Sequence, residues 1–179
     1  MELSQVENKI IEVLTKFHNT RIAEGDYPTT DLFEELDSLL PIGAISGYSP
    51  HKKNETEGEW LFDYFWYQPA DSDDVPKEKK WQYFKGLDLV CEVEWSYPTS
   101  ENFENILSDL QKLMVAKANT YLFITQLRKE TDESFMIKWL ESRMCIDNFS
   151  CLFILMPVKQ RQDNSLRNYL IHNNQFHKV

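Results

Sequence analysis

Two short stretches hold the carboxylates that could do chemistry. GLDLVCEVEW, residues 86–95, sets Glu92 and Glu94 two positions apart in a mainly apolar run, and Asp63 interrupts WLFDYFWYQ, residues 60–68, which has no other charge. Side chains alternate along a strand, so Leu87, Leu89, Cys91, Val93 and Trp95 are expected on one face and Asp88, Val90, Glu92 and Glu94 on the other. A buried carboxylate is costly unless it is paired, hydrogen-bonded or bound to a cation. Three of them in two neighbouring strands call for one explanation, and oxygen-rich clusters suit Mg²⁺ or Mn²⁺. Two plainer readings stay open. Glu92 and Glu94 could lie on the solvated face of an edge strand, and Asp63 could be a structural partner of a nearby Arg, Lys or Trp N–H.

The elements that must position these acids follow from periodicity. Val6, Ile10, Val13, Leu14 and Phe17 recur at helical spacing from Ser4 to about Ala23, and Ser4 with Glu7 fits a capping box. A short helix is expected from Asp31 to Leu40, with Asp31 and Glu34 as a second capping box and Pro41 as its stop. The segment from Gly43 opens with a short strand, and residues 60–68 and 86–95 read as two more, expected as antiparallel neighbours joined through a loop with an acidic cluster before a basic one. Past Pro98, Thr99 or Ser100 caps a helix whose stripe is Phe103, Ile106, Leu107, Leu110, Leu113 and Met114. TYLFITQ, 120–126, is a buried strand, DESFMIKWLESRM, 132–144, a helix, and CLFILMPV, 151–158, a strand apolar on both faces. Such strands belong in a sheet covered on both sides with at least one parallel crossover. The polar tail is compatible with a short helix around Ser165 to Ile171.

An Asp in one strand, E-x-E in the next, then a helix and a further strand: this order resembles the core of the PD-(D/E)XK nuclease superfamily, over about residues 60–126 with the first helix preceding it. The resemblance implies a restriction-endonuclease-like α/β fold, a three-layer core with a mixed sheet of about five strands flanked by helices. It also implies that Asp63 and Glu92 bind the metal and that Glu94 stands where the superfamily usually has Lys. Some members carry Glu there, and others draw a Lys or Gln from the following helix. Here the helix offers Gln111, Lys112 and Lys117. Lys112 is the candidate on pattern, although it lies about 160° around the helix from Leu110, and an exposed ion pair with Asp109 is the plainer alternative. EVEW followed by DLQKLMVAKA also resembles an uncharacterised bacterial family with an E-x-E-W strand and a D-x-x-K-L helix, a likeness that names no activity.

Composition bounds what these residues could serve. A chain of 179 residues that is 42% hydrophobic and 13% aromatic suits a single domain with a substantial core. No apolar run reaches the roughly 18 residues of a membrane span, and the N-terminus lacks the basic head of a signal peptide, so a cytoplasmic protein is expected. Cys91, Cys145 and Cys151 show no C-x-x-C spacing and are not expected to form a disulfide framework or a zinc site. The net charge of −10 and the pI near 4.9 oppose nucleic-acid binding, although a divalent cation would offset part of that charge where carboxylates cluster. KEKKW, 77–81, reads as a solvated charge run before a phosphate contact. Glu24 is an exposed helix-end residue before it is a site acid. His18, His51, His172 and His177 have no ligand or triad spacing, and Trp60, Trp66 and Trp95 are expected in the core. The expected function is metal-dependent hydrolysis of nucleic-acid phosphodiesters, with Asp63, Glu92, Glu94 and Lys112 in the catalytic set. A second class is a catalytically inactive acidic domain of the same fold that binds a protein partner.

Overall fold

The computed structural model describes residues 2–21, 27–48, 62–69, 84–95, 103–127, 130–145, 148–157 and 165–179. In chain order the elements are α1 (Gln5–Arg21), α2 (Thr29–Asp37), β1 (Ile45–Tyr48), β2 (Tyr64–Pro69), β3 (Phe84–Glu94), α3 (Glu104–Val115), β4 (Ala118–Leu127), α4 (Glu130–Glu141), β5 (Ser150–Pro157), β6 (Arg167–His172) and β7 (Gln175–Lys178). The readings of Glu24, His51, Trp60, KEKKW and the caps at Thr99 and Ser100 lie outside the described residues.

The chain is α/β. Its strands form one mixed seven-stranded sheet in sequence order, β1 to β7. β3, β4 and β5 run parallel to one another, and the remaining pairs are antiparallel. The parallel neighbours require crossovers, which α3 and α4 supply. Both helices pack on the same face, where Ile106, Leu110, Leu113, Met136 and Leu140 share a core with Phe65, Val90, Phe123 and Phe153. Helices α1 and α2 cover the other face, placing Ile10, Leu14, Phe17, Leu32, Phe33 and Leu36 against Trp66, Leu89, Cys91, Leu122 and Ile154. Covered on both sides, β5 buries every residue from Cys151 to Pro157, the continuous apolar run of a central strand.

Local chemistry fixes the ends. The Ser4 backbone N–H donates to Glu7 Oε2 at 2.7 Å and the Glu7 N–H to Ser4 Oγ at 3.2 Å, the reciprocal cap of α1. The second capping box does not form. α2 starts after Pro28 without a side-chain cap, and Asp31 instead pairs with Arg21 at the end of α1. The stronger attraction of a guanidinium for a carboxylate wins that residue. On the inner face of α1, the Tyr27 hydroxyl lies 2.8 Å from His18 Nδ1 and donates to the Pro157 carbonyl at 3.2 Å, tying the segment after α1 to the end of β5.

Three differences from the sequence reading have physical causes. Seven strands replace about five because the tail is a β-hairpin, not a short helix. Asn173 and Asn174 both hold positive φ, at 48° and 64°, as the two central residues of a primed hairpin turn must. Leu87 leaves the face of Leu89 and packs with the α3 and α4 core. The β2–β3 register jumps there, Trp66 pairing Leu89 and Tyr67 pairing Leu87, so Asp88 is the extra residue of a bulge. It accepts hydrogen bonds from Gln68 Nε2 at 2.7 Å and Asn119 Nδ2 at 3.0 Å. Finally, Lys117 lies beyond the helix that was expected to offer it, since α3 ends at Val115.

Candidate functional site

The bulge lies below the acids, and above it the alternation of β3 is regular. Tyr64 pairs Cys91 and Phe65 pairs Val90, so Asp63, one residue before β2, falls opposite Glu92 on the next rung. Phe65 and Val90 belong to the α3-side core, and two-residue alternation puts Asp63, Glu92 and Glu94 on that same face. Asp63 Oδ2 accepts a hydrogen bond from the Val93 N–H at 2.9 Å. The partner of Asp63 is therefore backbone, not the Arg, Lys or Trp N–H of the plainer reading. Nor is β3 an edge strand. It is hydrogen-bonded on both sides, and Glu92 is only 1% exposed.

Across from Glu92 stands α3. Lys112 Nζ lies 3.3 Å from Glu92 Oε2 and 2.8 Å from Asp109 Oδ1, so Lys112 reaches Glu92 while also pairing with Asp109, which is largely covered and not the exposed partner expected from the sequence. The wheel angle gives the direction in which the side chain leaves the helix, and a long lysine stem can return its ammonium to the sheet. Glu92 Oε1 is buried and has no hydrogen-bond partner among the described residues. Burial, and then the charge of Asp63, raise the Glu92 pKa to about 8, while Lys112 pulls it the other way. Burial also works against the charge of Lys112, but the hydrogen bond to Asp109 and the fields of Glu92 and Asp109 outweigh it and hold the ammonium above the ordinary lysine value.

Glu94 is half-buried one step further along, and its carbonyl accepts the Thr125 hydroxyl at 2.8 Å. Gln111 and Lys117 are exposed. Lys117 precedes Ala118, which pairs Leu87, whereas Glu92 pairs Phe123. At about 3.3 Å per residue this places Lys117, six residues before Phe123, roughly 20 Å away along the sheet, so it does not join the acids.

What could the cluster hold? The Lys112 ammonium lies between the carboxylates of Glu92 and Asp109, and Asp63 stands opposite Glu92, one residue before the neighbouring strand. Among the described residues, no group of three or more His, Cys, Asp and Glu side chains is arranged to hold a metal ion unaided. The donors nonetheless fit a hard divalent cation of the Mg²⁺ or Mn²⁺ type. Such ions take one or two carboxylates and complete the shell with water, and the orphaned Oε1 of Glu92 is a buried acceptor in want of a positive partner. The Val93 carbonyl lies on the same edge of β3 as its N–H and so faces Asp63.

A second polar cluster was missed in the sequence. Glu133 of α4 receives Arg167 Nε at 3.0 Å and the Tyr169 hydroxyl, and burial followed by that hydrogen bond raises the Tyr169 pKa. Reading the tail as a helix removed any reason to bring these residues together, and the Asn173–Asn174 pair was the cue to do so. In comparisons with known proteins, no family model matches the chain, and no curated protein and no solved structure matches it either.

Proposed function

We propose that the chain is a metal-dependent nuclease-like protein that hydrolyses phosphodiester bonds of nucleic acid, as a cytoplasmic member of the PD-(D/E)XK superfamily with a restriction-endonuclease-like core. One observation carries this reading: Asp63 and Glu92 meet on one face of the sheet while Lys112, from the following helix, brings its ammonium to Glu92. Sheet order supports it as well. Two helices, three antiparallel strands, a helix and a fourth strand parallel to the third follow one another from α1 to β4, and the strand with E-x-E, the helix and the further strand keep the order on which the resemblance rests.

In this reading Asp63, Glu92 and the Val93 carbonyl hold Mg²⁺ or Mn²⁺. When bound, the cation polarises the phosphodiester and lowers the pKa of a water. The chain's own residues do the rest. Glu94 accepts the proton of the attacking water on its carboxylate. Lys112 faces the negative charge that develops on the phosphoryl oxygens, the task that falls to a strand lysine in the commonest form of the motif. Asp63, hydrogen-bonded to the Val93 N–H, keeps the end of β2 against β3 so that its carboxylate stays opposite Glu92.

The test is cleavage of plasmid DNA and of structured RNA with Mn²⁺ or Mg²⁺, by the wild type and by Glu92→Gln. Cleavage by the wild type that is lost in a folded variant is expected. Equal cleavage by both would sink the reading. The alternative, an inactive acidic domain that binds a protein partner, draws on the net charge of −10 and the lack of a three-ligand group among the described residues. It predicts folded wild-type protein with neither metal binding nor cleavage.

A further inference from the structure

Lys112 leaves α3 on the flank turned away from the Leu110 stripe, and its side chain is 39% exposed. A lysine so placed, with a flexible stem and water within reach, gains little by returning to a single carboxylate. Yet its ammonium lies against Glu92, and its closer contact is Asp109, at 2.8 Å against 3.3 Å. Asp109 is one helical turn before Lys112, 18% exposed, and sits on α3, which packs on β3. Separations of three residues bring side chains together on one helix flank. Asp109 therefore offers an acceptor partway between the solvent side of α3 and the sheet, and the ammonium lies between that acceptor and Glu92 Oε2.

We infer that Asp109 is a positioning residue: it draws Lys112 from the solvent side of α3 and holds its ammonium against Glu92. Asp109 thereby lets a helix lysine do what a strand lysine does without assistance. A lysine in E-x-K is aimed by strand alternation alone, whereas one supplied from a helix flank needs a second acceptor to aim it. With Asp109 engaging the ammonium, Lys112 contacts only Oε2 of Glu92, and Oε1 stays open. The catalytic use of this arrangement rests on the nuclease reading proposed above, but the positioning itself does not.

Lysine reactivity separates the two. Brief treatment of the folded full-length chain with acetic anhydride, quantified residue by residue by mass spectrometry, compares Lys112 with the exposed Lys117 as internal reference. In the wild type Lys112 should react several-fold more slowly than Lys117. Asp109→Asn, which keeps the shape and removes the charge, should close most of that gap, and Asp109→Glu should restore it in part. An unchanged Lys112-to-Lys117 ratio in folded Asp109→Asn would overturn the inference. Should Asp109→Asn fail to fold, Glu92→Gln decides. Most of the protection should survive there, and its complete loss would assign the positioning to Glu92 and overturn the inference equally. Where the wild type cleaves plasmid DNA with Mn²⁺, Asp109→Asn should lower kcat per folded molecule, the folded fraction being taken from circular dichroism, with little change in KM and with rescue by Asp109→Glu; a general loss of stability would lower the folded fraction and leave kcat per folded molecule unchanged. Absence of wild-type cleavage contradicts the nuclease reading and leaves the reactivity ratio to decide the positioning.

Discussion

Burial and the neighbouring Asp63 raise the pKa of Glu92 from 4.5 to about 8, and this couples the stability of the fold to pH. A carboxyl whose pKa is higher in the folded chain binds its proton more tightly there. Its contribution to stability is complete below the unfolded value and is lost as pH rises from about 4.5 through about 8, at up to about 1.4 kcal/mol per pH unit. Glu92→Gln keeps the volume and removes the titration. The wild type should therefore lose melting temperature relative to this variant as pH is raised across that window. Thermal melts that run parallel in the two proteins at every pH would refute the assignment. Asp63 and Glu92 were legible in the sequence because a charge inside an apolar strand has few affordable explanations. The reach of Lys112 was not, because a wheel projection fixes where a side chain starts and says nothing of where a flexible stem ends.

Elements with strong periodicity read directly. Helix α1 was marked by its capping box and its i, i+4, i+7 stripe, and β3 to β5 by apolar runs with a helix between each pair. The losses came where side chains and backbone compete for the same role. Asp31 had an arginine to bind and so was not a cap, and Asp88 supplied a bulge that strand alternation cannot anticipate. RNYLIHNNQFHK holds two short alternating segments around an Asn pair, and its polarity masked the period. Edge strands are short, as exposed edges commonly are: β1 and β7 have four residues each. In β1, Gly47 pairs Phe65, and the buried Phe65 ring lies across it. A Cβ at Gly47 would come within 2.5 Å of that ring. Gly47→Ala should cost about 1–3 kcal/mol, the usual range for overpacking, measured by denaturant unfolding. A change below about 0.5 kcal/mol would mean that the ring moves aside freely.

At the scale of the whole molecule, a charge of −10 must coexist with a phosphate-bearing substrate. The carboxylates of Asp63, Glu92 and Asp109 outnumber the one ammonium of Lys112, and a divalent cation there would offset the excess while leaving the rest of the surface acidic. The α/β class and the mixed sheet were visible in the alternation of helical and strand periods. The number of strands was not, because the last two carry their signal in a turn. No described helix is long and apolar enough to cross a membrane. Everything proposed about function depends on whether the two facing carboxylates hold a cation. The most direct measurement is a calorimetric titration of Mn²⁺ into the wild type and into Asp63→Ala, with folding of both checked by circular dichroism. Saturable binding to the wild type that is lost in the variant is the predicted result. No saturable binding to the wild type, or equal binding to both, would contradict a metal at Asp63 and Glu92.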